Sequence, residues 1–312
     1  VEHKEYVRIC DNSNIVILFI HGIVGTPNHF NEFVSLVPES FSVYNLLLDG
    51  HGKSVKDFSK TSMKKWEAQV ASVVDELSLT HKKIYIVAHS LGTLFAIDQA
   101  IKNKKVCKLF LLAVPLRLSI KPKMPINSLK VYFDKIRSDD YEALAAKKCY
   151  GIEKDKNPFH YIGWIPRFLE LFAKIRRTRQ TVNLLNTICL VYQSEKDEMV
   201  SSRSAKYFEN KPNVLVNKLK KSGHYYYDKE DFDFLITEFK KIQIPVHEVF
   251  SRVKATQKLL DEFGEEKEEV IEVKENEEVF EVEENISYFV VIKGEVKKPG
   301  VYKIDSGKRI ID

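Results

Sequence analysis

Short apolar runs alternate with amphipathic stretches along most of this chain, which is the pattern of strand–helix–strand units feeding a largely parallel sheet. Asn14–His21 (NIVILFIH) is almost continuously apolar, as expected for a strand buried on both faces. Further strands are expected over Phe41–Leu48, Lys83–Ala88, Val106–Val114, Thr187–Gln193 and Asn213–Leu219, with one short N-terminal strand over Glu5–Cys10. Met63–Leu79 carries Trp66, Val70, Val73, Val74 and Leu77 at helical spacing, and Gly92–Lys102 and Glu230–Ile242 also read as helices.

Pro115–Asn186 breaks this rhythm. It is rich in Lys, Arg, Pro and aromatic residues, with helical patches at Tyr141–Lys148 and Pro166–Arg179. It is too long for a simple crossover, so it predicts a helical cap inserted over the carboxyl edge of the sheet. The first 245 residues therefore form one α/β domain with a cap at about 115–186. Residues 246–285 read as an amphipathic helix, Val246–Phe263, running into a Glu-rich linker. Residues 286–312 form two short β runs around Gly294 and the Pro299–Gly300 turn, and they stop at Asp312 in a way that suggests truncation.

At 312 residues, with 44% hydrophobic and 30% charged positions, the composition is that of a soluble globular protein. The net charge of +5 gives no argument for nucleic-acid binding by the main domain. It conceals a mildly basic body and an acidic run from Asp261 to Glu284, where Lys267 and Lys274 are the only cations. Cys10, Cys107, Cys149 and Cys189 are far apart and form no CxxC pair, so a reducing, cytoplasmic setting is expected without a disulfide framework. No apolar run approaches the roughly 18–20 residues of a membrane span, and the charged start VEHKEYVRIC is no signal peptide. The chain opens on Val1 rather than Met, which points to a missing N-terminal segment.

Three chemically capable residues stand just past strand ends, in the order Ser, Asp, His. Ser90 lies in Ala88-His89-Ser90-Leu91-Gly92, between a strand and a helix. Such a sharp turn lifts the hydroxyl above the sheet and aims a helix N-terminus at a developing oxyanion. Asp197 follows the fifth of the longer strands and His224 the sixth, so all three side chains converge on one edge. In that arrangement His224 accepts the Ser90 proton and Asp197 orients the imidazole. Glu195 and Asp155 compete for the acidic role, but the strand end and the spacing to Val200 favour Asp197. The turn His21-Gly22-Ile23-Val24-Gly25 lets a backbone N–H point into the site, so Ile23 and Leu91 are the expected oxyanion donors.

HGIVGTP, DGHGKS (Asp49–Ser54), AHSLG, EKDEMV and SGH together resemble the α/β-hydrolase superfamily, and within it bacterial carboxylesterases and monoacylglycerol lipases. The resemblance spans about residues 10–243. It implies ester hydrolysis through an acyl-enzyme, no cofactor, and a cap that shapes an acyl pocket. Two departures stand out: Ala88 occupies the position of the usual first glycine, and the N-terminal hairpin is reduced to about one strand. The final segment, FVVIKGEVKKPGVYKIDSGKRIID, resembles the start of an SLBB module, a small β-grasp binding unit whose partner here is unknown.

The expected substrate is a small-molecule acyl ester, a mono- or lysolipid or a short-chain ester. Trp164 and Phe168 are the leading pocket residues among the cap aromatics Phe133, Tyr150, Phe159, Trp164, Phe168 and Phe172, at least half of which are expected in the cap's own core. His21, His51 and His160 read as structural, and His89 as either pocket lining or packing. The stripe Lys174–Arg179 reads as a solvated helix face, with an anionic lipid surface as its alternative partner. No His/Cys/Asp/Glu grouping has metal-ligand spacing. Acyl transfer or amide cleavage on the same residues, or a binding protein that works through its tail, are the competing functions. Joining of two neighbouring reading frames would also explain the change after Pro245, and residues 1–245 alone are then expected to keep near-full activity.

Overall fold

The computed structural model describes residues 3–209, 211–243, 287–292 and 300–305. Two compact units divide the chain, Val1–Lys240 and Lys241–Asp312.

In chain order the first unit holds β1 (Tyr6–Arg8), β2 (Ile15–Ile20), α1 (Asn31–Val34), β3 (Ser42–Leu46), β4 (Lys53–Ser54), α2 (Val55–Lys60), α3 (Met63–Thr80), β5 (Lys83–His89), α4 (Leu91–Lys102) and β6 (Val106–Leu112). It continues with α5 (Lys123–Phe133), α6 (Tyr141–Cys149), β7 (Ile152–Glu153), α7 (Ile165–Thr181), β8 (Ile188–Ser194) and β9 (Val214–Leu219), and α8 (Lys229–Ile242) runs through its end. Seven strands form one sheet in the order β1-β3-β2-β5-β6-β8-β9, parallel except for the antiparallel edge strand β1. Every residue of β2 is buried, as is every residue of β5 after Lys83, because helices cover both faces.

The chain moves outward from β2 to β3 and then returns to β5 on the other side of β2. Crossovers therefore leave in opposite directions at the β2/β5 pair, opening a crevice beyond the carboxyl ends of those strands, where ligands of open parallel sheets bind. Two glycines allow the chain to close on that point. A Cβ on Gly92 would come within 2.1 Å of the Ile20 carbonyl oxygen, so the first turn of α4 sits flush against the end of β2. A Cβ on Gly22 would meet the Ser90 Cβ at 2.9 Å.

Helix α3 forms as its pattern predicts. Ser62 caps it by accepting from the Lys65 N–H, and Trp66, Val70, Val73, Val74 and Leu77 are all buried on one side. The interval between β6 and β8 holds three α-helices rather than the two patches expected. Helix α5 was not legible because its pattern is inverted: Ile126, Leu129 and Phe133 are exposed, whereas Asn127 and Val131 are buried. Helix α7 packs against α3 and α4 of the main body rather than on the cap alone. Its Lys174 corrects the expected solvated face: the ammonium is 2% exposed, pairs with Glu67 at 2.9 Å and with Asp98, and lies over the Phe95 ring. Arg176, Arg177 and Arg179 remain exposed.

The second unit contains an antiparallel pair, β10 (Ser287–Ile292) and β11 (Gly300–Asp305), in the register Val290↔Tyr302. The helix expected over Val246–Phe263 and the Glu-rich linker lie outside the described residues. No helix among the described residues is long and apolar enough to cross a membrane.

Candidate active site

Ser90 sits at the junction of β5 and α4 with φ 51° and ψ −120°, a conformation that is strained for any residue with a Cβ. The surroundings hold it there. Its N–H donates to the Leu112 carbonyl at 3.0 Å, and its own carbonyl accepts from the Thr93 hydroxyl at 2.6 Å and the Thr93 N–H at 3.0 Å. Leu91 opens α4, so its N–H is one of the first-turn donors that lack an acceptor within the helix.

The loop after β2 lies against this turn. His21 secures it: Nε2 accepts from the Leu48 N–H at 3.1 Å, so Nδ1 carries the proton and donates to the Gly22 carbonyl at 2.8 Å. The ring also packs edge-on against His51, which is buried beside Phe58 and Trp66. Both histidines are therefore structural. Ile23 is buried beside Gly22, and Val24 adopts a positive φ of 51°.

Beyond β8, the Asp197 carboxylate reaches His224 in the loop after β9, with Oδ2 2.8 Å from Nδ1. Each side chain is 1% exposed. The other carboxylate oxygen of Asp197 accepts from the Met199 and Val200 N–H groups, both at 2.7 Å. The rival acids are elsewhere: Asp155 pairs with His160 inside the cap, and Glu195 faces solvent near Lys218. Burial alone would lower the His224 pKa, but the charge and hydrogen bond of Asp197, with Glu198 adding to them, leave it above the ordinary 6.5. His224 Nε2 is buried and makes no hydrogen bond, so the expected contact with the Ser90 hydroxyl is not formed in this structure. Such contacts often tighten only when substrate binds.

The last residue of β5, His89, precedes the Ser90 turn and reaches His224. The His89 ring lies 4.7 Å from that of His224 and stacks at 4.1 Å on His29, and its Nε2 donates to the His224 carbonyl at 3.0 Å. His29 in turn meets Cys149 Sγ and Tyr227 Oη, both at 3.3 Å. Burial pushes His29 down to about 3 and His51 to about 4, and it holds His21 and His89 well below the ordinary value. His29, Cys149, Tyr225 and Glu198 escape sequence reasoning because their contacts span long separations with no periodic signal.

The cap aromatics divide. Trp164 and Phe168 are half-buried against the main core, and the Trp164 indole donates to the Val55 carbonyl while packing on Phe58 and Tyr161. Phe133, Phe159 and Phe172 are 61%, 73% and 47% exposed, so they belong neither to the cap core nor to an enclosed pocket. Among the described residues no group of His, Cys, Asp and Glu has metal-binding geometry.

The parallel sheet, the strained serine turn and the cap insertion define an α/β-hydrolase. The chain belongs to the family described as "Serine aminopeptidase, S33", whose model matches residues 11–224. Its fold is similar to that of a metagenome-derived lipolytic enzyme at 14% identity and TM-score 0.57, covering 75% of this chain and 94% of that one. It is similar to a Paleococcus ferrophilus monoacylglycerol lipase at 15% identity and TM-score 0.55, covering 76% and 98%. A Saccharomyces cerevisiae monoglyceride lipase matches at 13% identity and TM-score 0.53, covering 75% and 87%. No curated protein matches in sequence.

Proposed function

We propose that this chain is a serine hydrolase that cleaves carboxylic esters, with Ser90 as nucleophile, His224 as general base and Asp197 as its orienting partner. One observation carries the reading: a serine held at positive φ on a strand–helix turn directly follows His89, whose ring lies 4.7 Å from that of a buried histidine paired with Asp197.

In this mechanism His224 Nε2 takes the Ser90 proton as the oxygen attacks the acyl carbonyl. The oxyanion of the tetrahedral intermediate is held by the Ile23 and Leu91 N–H groups. His224, now protonated and stabilised by the buried Asp197 carboxylate, gives its proton to the departing alkoxide. Water activated by the same imidazole then releases the acid and restores Ser90. Trp164 and Phe168 supply the apolar side of the acyl pocket. The lipolytic fold neighbours support a mono- or lysolipid or a short-chain acyl ester as substrate. The solvent is the acyl acceptor, and no cofactor enters the chemistry.

A second reading, amide cleavage on the same residues, is favoured by the description of the family as a serine aminopeptidase. p-Nitrophenyl esters of graded chain length, set beside an amide counterpart, separate the two. A fluorophosphonate probe is expected to label Ser90, and Ser90→Ala to abolish both labelling and turnover. Ester turnover retained by Ser90→Ala overturns the proposal.

A further inference from the structure

The imidazole of His224 is carried on a loop, and Asp197 fixes only its Nδ1 side. Where Nε2 points depends on where the His224 peptide sits, and both polar groups of that residue's backbone are held by side chains. The N–H donates to Glu198 Oε2 at 3.0 Å, and the carbonyl accepts from His89 Nε2 at 3.0 Å. All three residues are buried, at 6% exposure for Glu198 and 1% for His89 and His224. The two holding residues are chain neighbours of the other two members of the proposed triad, His89 preceding Ser90 and Glu198 following Asp197. The end of β5 therefore carries the proposed nucleophile with one support of the His224 backbone, and the segment after β8 carries the proposed acid with the other.

We propose that His89 and Glu198 are positioning residues that clamp the His224 backbone from opposite ends and so set the direction of its Nε2. This inference rests on the reading of Ser90, Asp197 and His224 as a triad, and it deepens that reading.

The His89 geometry suits such a task. Because a carbonyl only accepts, Nε2 must carry the proton, which leaves Nδ1 bare. That bare nitrogen faces the glycine of the loop after β2, where a Cβ on Gly22 would lie 3.2 Å from it. The ring cannot swing, since His29 stacks on it at 4.1 Å and Tyr225 packs at 5.6 Å. Burial keeps His89 neutral, so it remains a single-proton donor and adds no positive charge beside His224 when the base is protonated. Glu198 does the opposite. Its carboxylate both anchors the N–H and favours the imidazolium.

The test uses the full chain and p-nitrophenyl butyrate, with folding checked by circular dichroism and thermal melting. His89→Phe keeps an aromatic ring but removes the donor, and Glu198→Ala removes the acceptor. Each is expected to lower kcat by about tenfold to a hundredfold, with KM within about twofold, since a base displaced by about an ångström loses that much. Fluorophosphonate labelling of Ser90 should slow in parallel. His89→Gln places an amide N–H near the same point and should recover most of the loss, as should Glu198→Gln, which still accepts.

A pH profile distinguishes the two halves of the clamp. The groups facing His224 are Asp197, Glu198, His89, His29 and Tyr225, of which Asp197 and Glu198 are the anions. Glu198→Gln therefore moves the acid limb of kcat/KM to lower pH, and His89→Gln leaves it in place. Folded His89→Phe and Glu198→Ala with kcat within twofold of wild type would overturn the clamp and leave the triad standing. Failure of His89→Gln to recover activity in a folded protein would overturn the donor role in the same way. An unlabelled Ser90 in the wild-type chain would overturn the triad and the clamp together, and is recognised before any variant is made.

Discussion

Asp197 Oδ2 lies 2.8 Å from His224 Nδ1, and the other oxygen of the same carboxylate is fixed by the Met199 and Val200 N–H groups. The carboxylate is thus oriented before it meets the imidazole. Asp197→Asn keeps the shape but offers an amide where the charge was, and it favours the wrong imidazole tautomer. The expected result is a fall in kcat of about 10³–10⁴-fold, with a melting temperature close to wild type, measured on the same p-nitrophenyl ester.

Protonation of His224 disables the proposed base. Because its pKa lies above the ordinary 6.5, the imidazole stays protonated to a higher pH than a free histidine. Activity should therefore rise with pH through a single group titrating above 6.5, read as the acid limb of kcat/KM. A limb at or below 6.5 would contradict the balance of burial, Asp197 and Glu198 described above.

The buried neutral histidines make the opposite contribution to stability. His21, His29, His51 and His89 all have folded pKa values below the unfolded 6.5, so as pH falls below 6.5 the unfolded chain binds protons that the folded chain refuses. Each costs roughly 1.4 kcal/mol per pH unit until the folded group also titrates, at about 4 for His51 and about 3 for His29. Urea midpoints measured at pH 7.5 and 5.5 should fall steeply toward acid. Replacing His51 with Gln should shallow that slope.

Close backbone approach makes a distinct prediction. The nearest neighbour of a Cβ at position 92 is the Ile20 carbonyl oxygen at 2.1 Å, and backbone cannot move aside as a side-chain tip can. Gly92→Ala should destabilise the fold by about 1–3 kcal/mol or more, seen as a lower melting temperature or lost soluble yield. Gly22→Ala presses on Ser90 instead, and should reduce kcat more than it reduces the melting temperature.

Lys174 gives a test far from the site. Its ammonium is shared by Glu67 and Asp98, which are themselves 28% and 23% exposed, so losing the cation leaves two partly solvated carboxylates. Lys174→Met preserves the packing stem and is expected to cost about 1–3 kcal/mol by thermal or urea unfolding. Arg176→Met, on the exposed side of the same helix, should change little.

The central strands and α3 were legible because their signals are local: continuous apolar runs for β2 and β5, and buried positions at helical spacing from Trp66 to Leu77. Ser90, Asp197 and His224 were legible as candidates because each follows a strand end, and a parallel sheet brings the carboxyl ends of its strands to one side. The cap was not. In α5 the apolar residues face outward, so the pattern points the wrong way, and Lys174 is buried by partners 76 and 107 positions earlier in the chain. His89 was legible only as pocket lining or packing, and Glu198 not at all. What joins them is the backbone of a third residue, and no spacing rule reports that.

Ser90 holds a backbone conformation that glycine would adopt without strain, and the chain keeps a serine there nonetheless. Ser90→Gly should therefore melt higher than the wild type while doing no chemistry. On the proposed reading, the strain at this turn is the stability cost of holding a nucleophile where glycine would sit more comfortably.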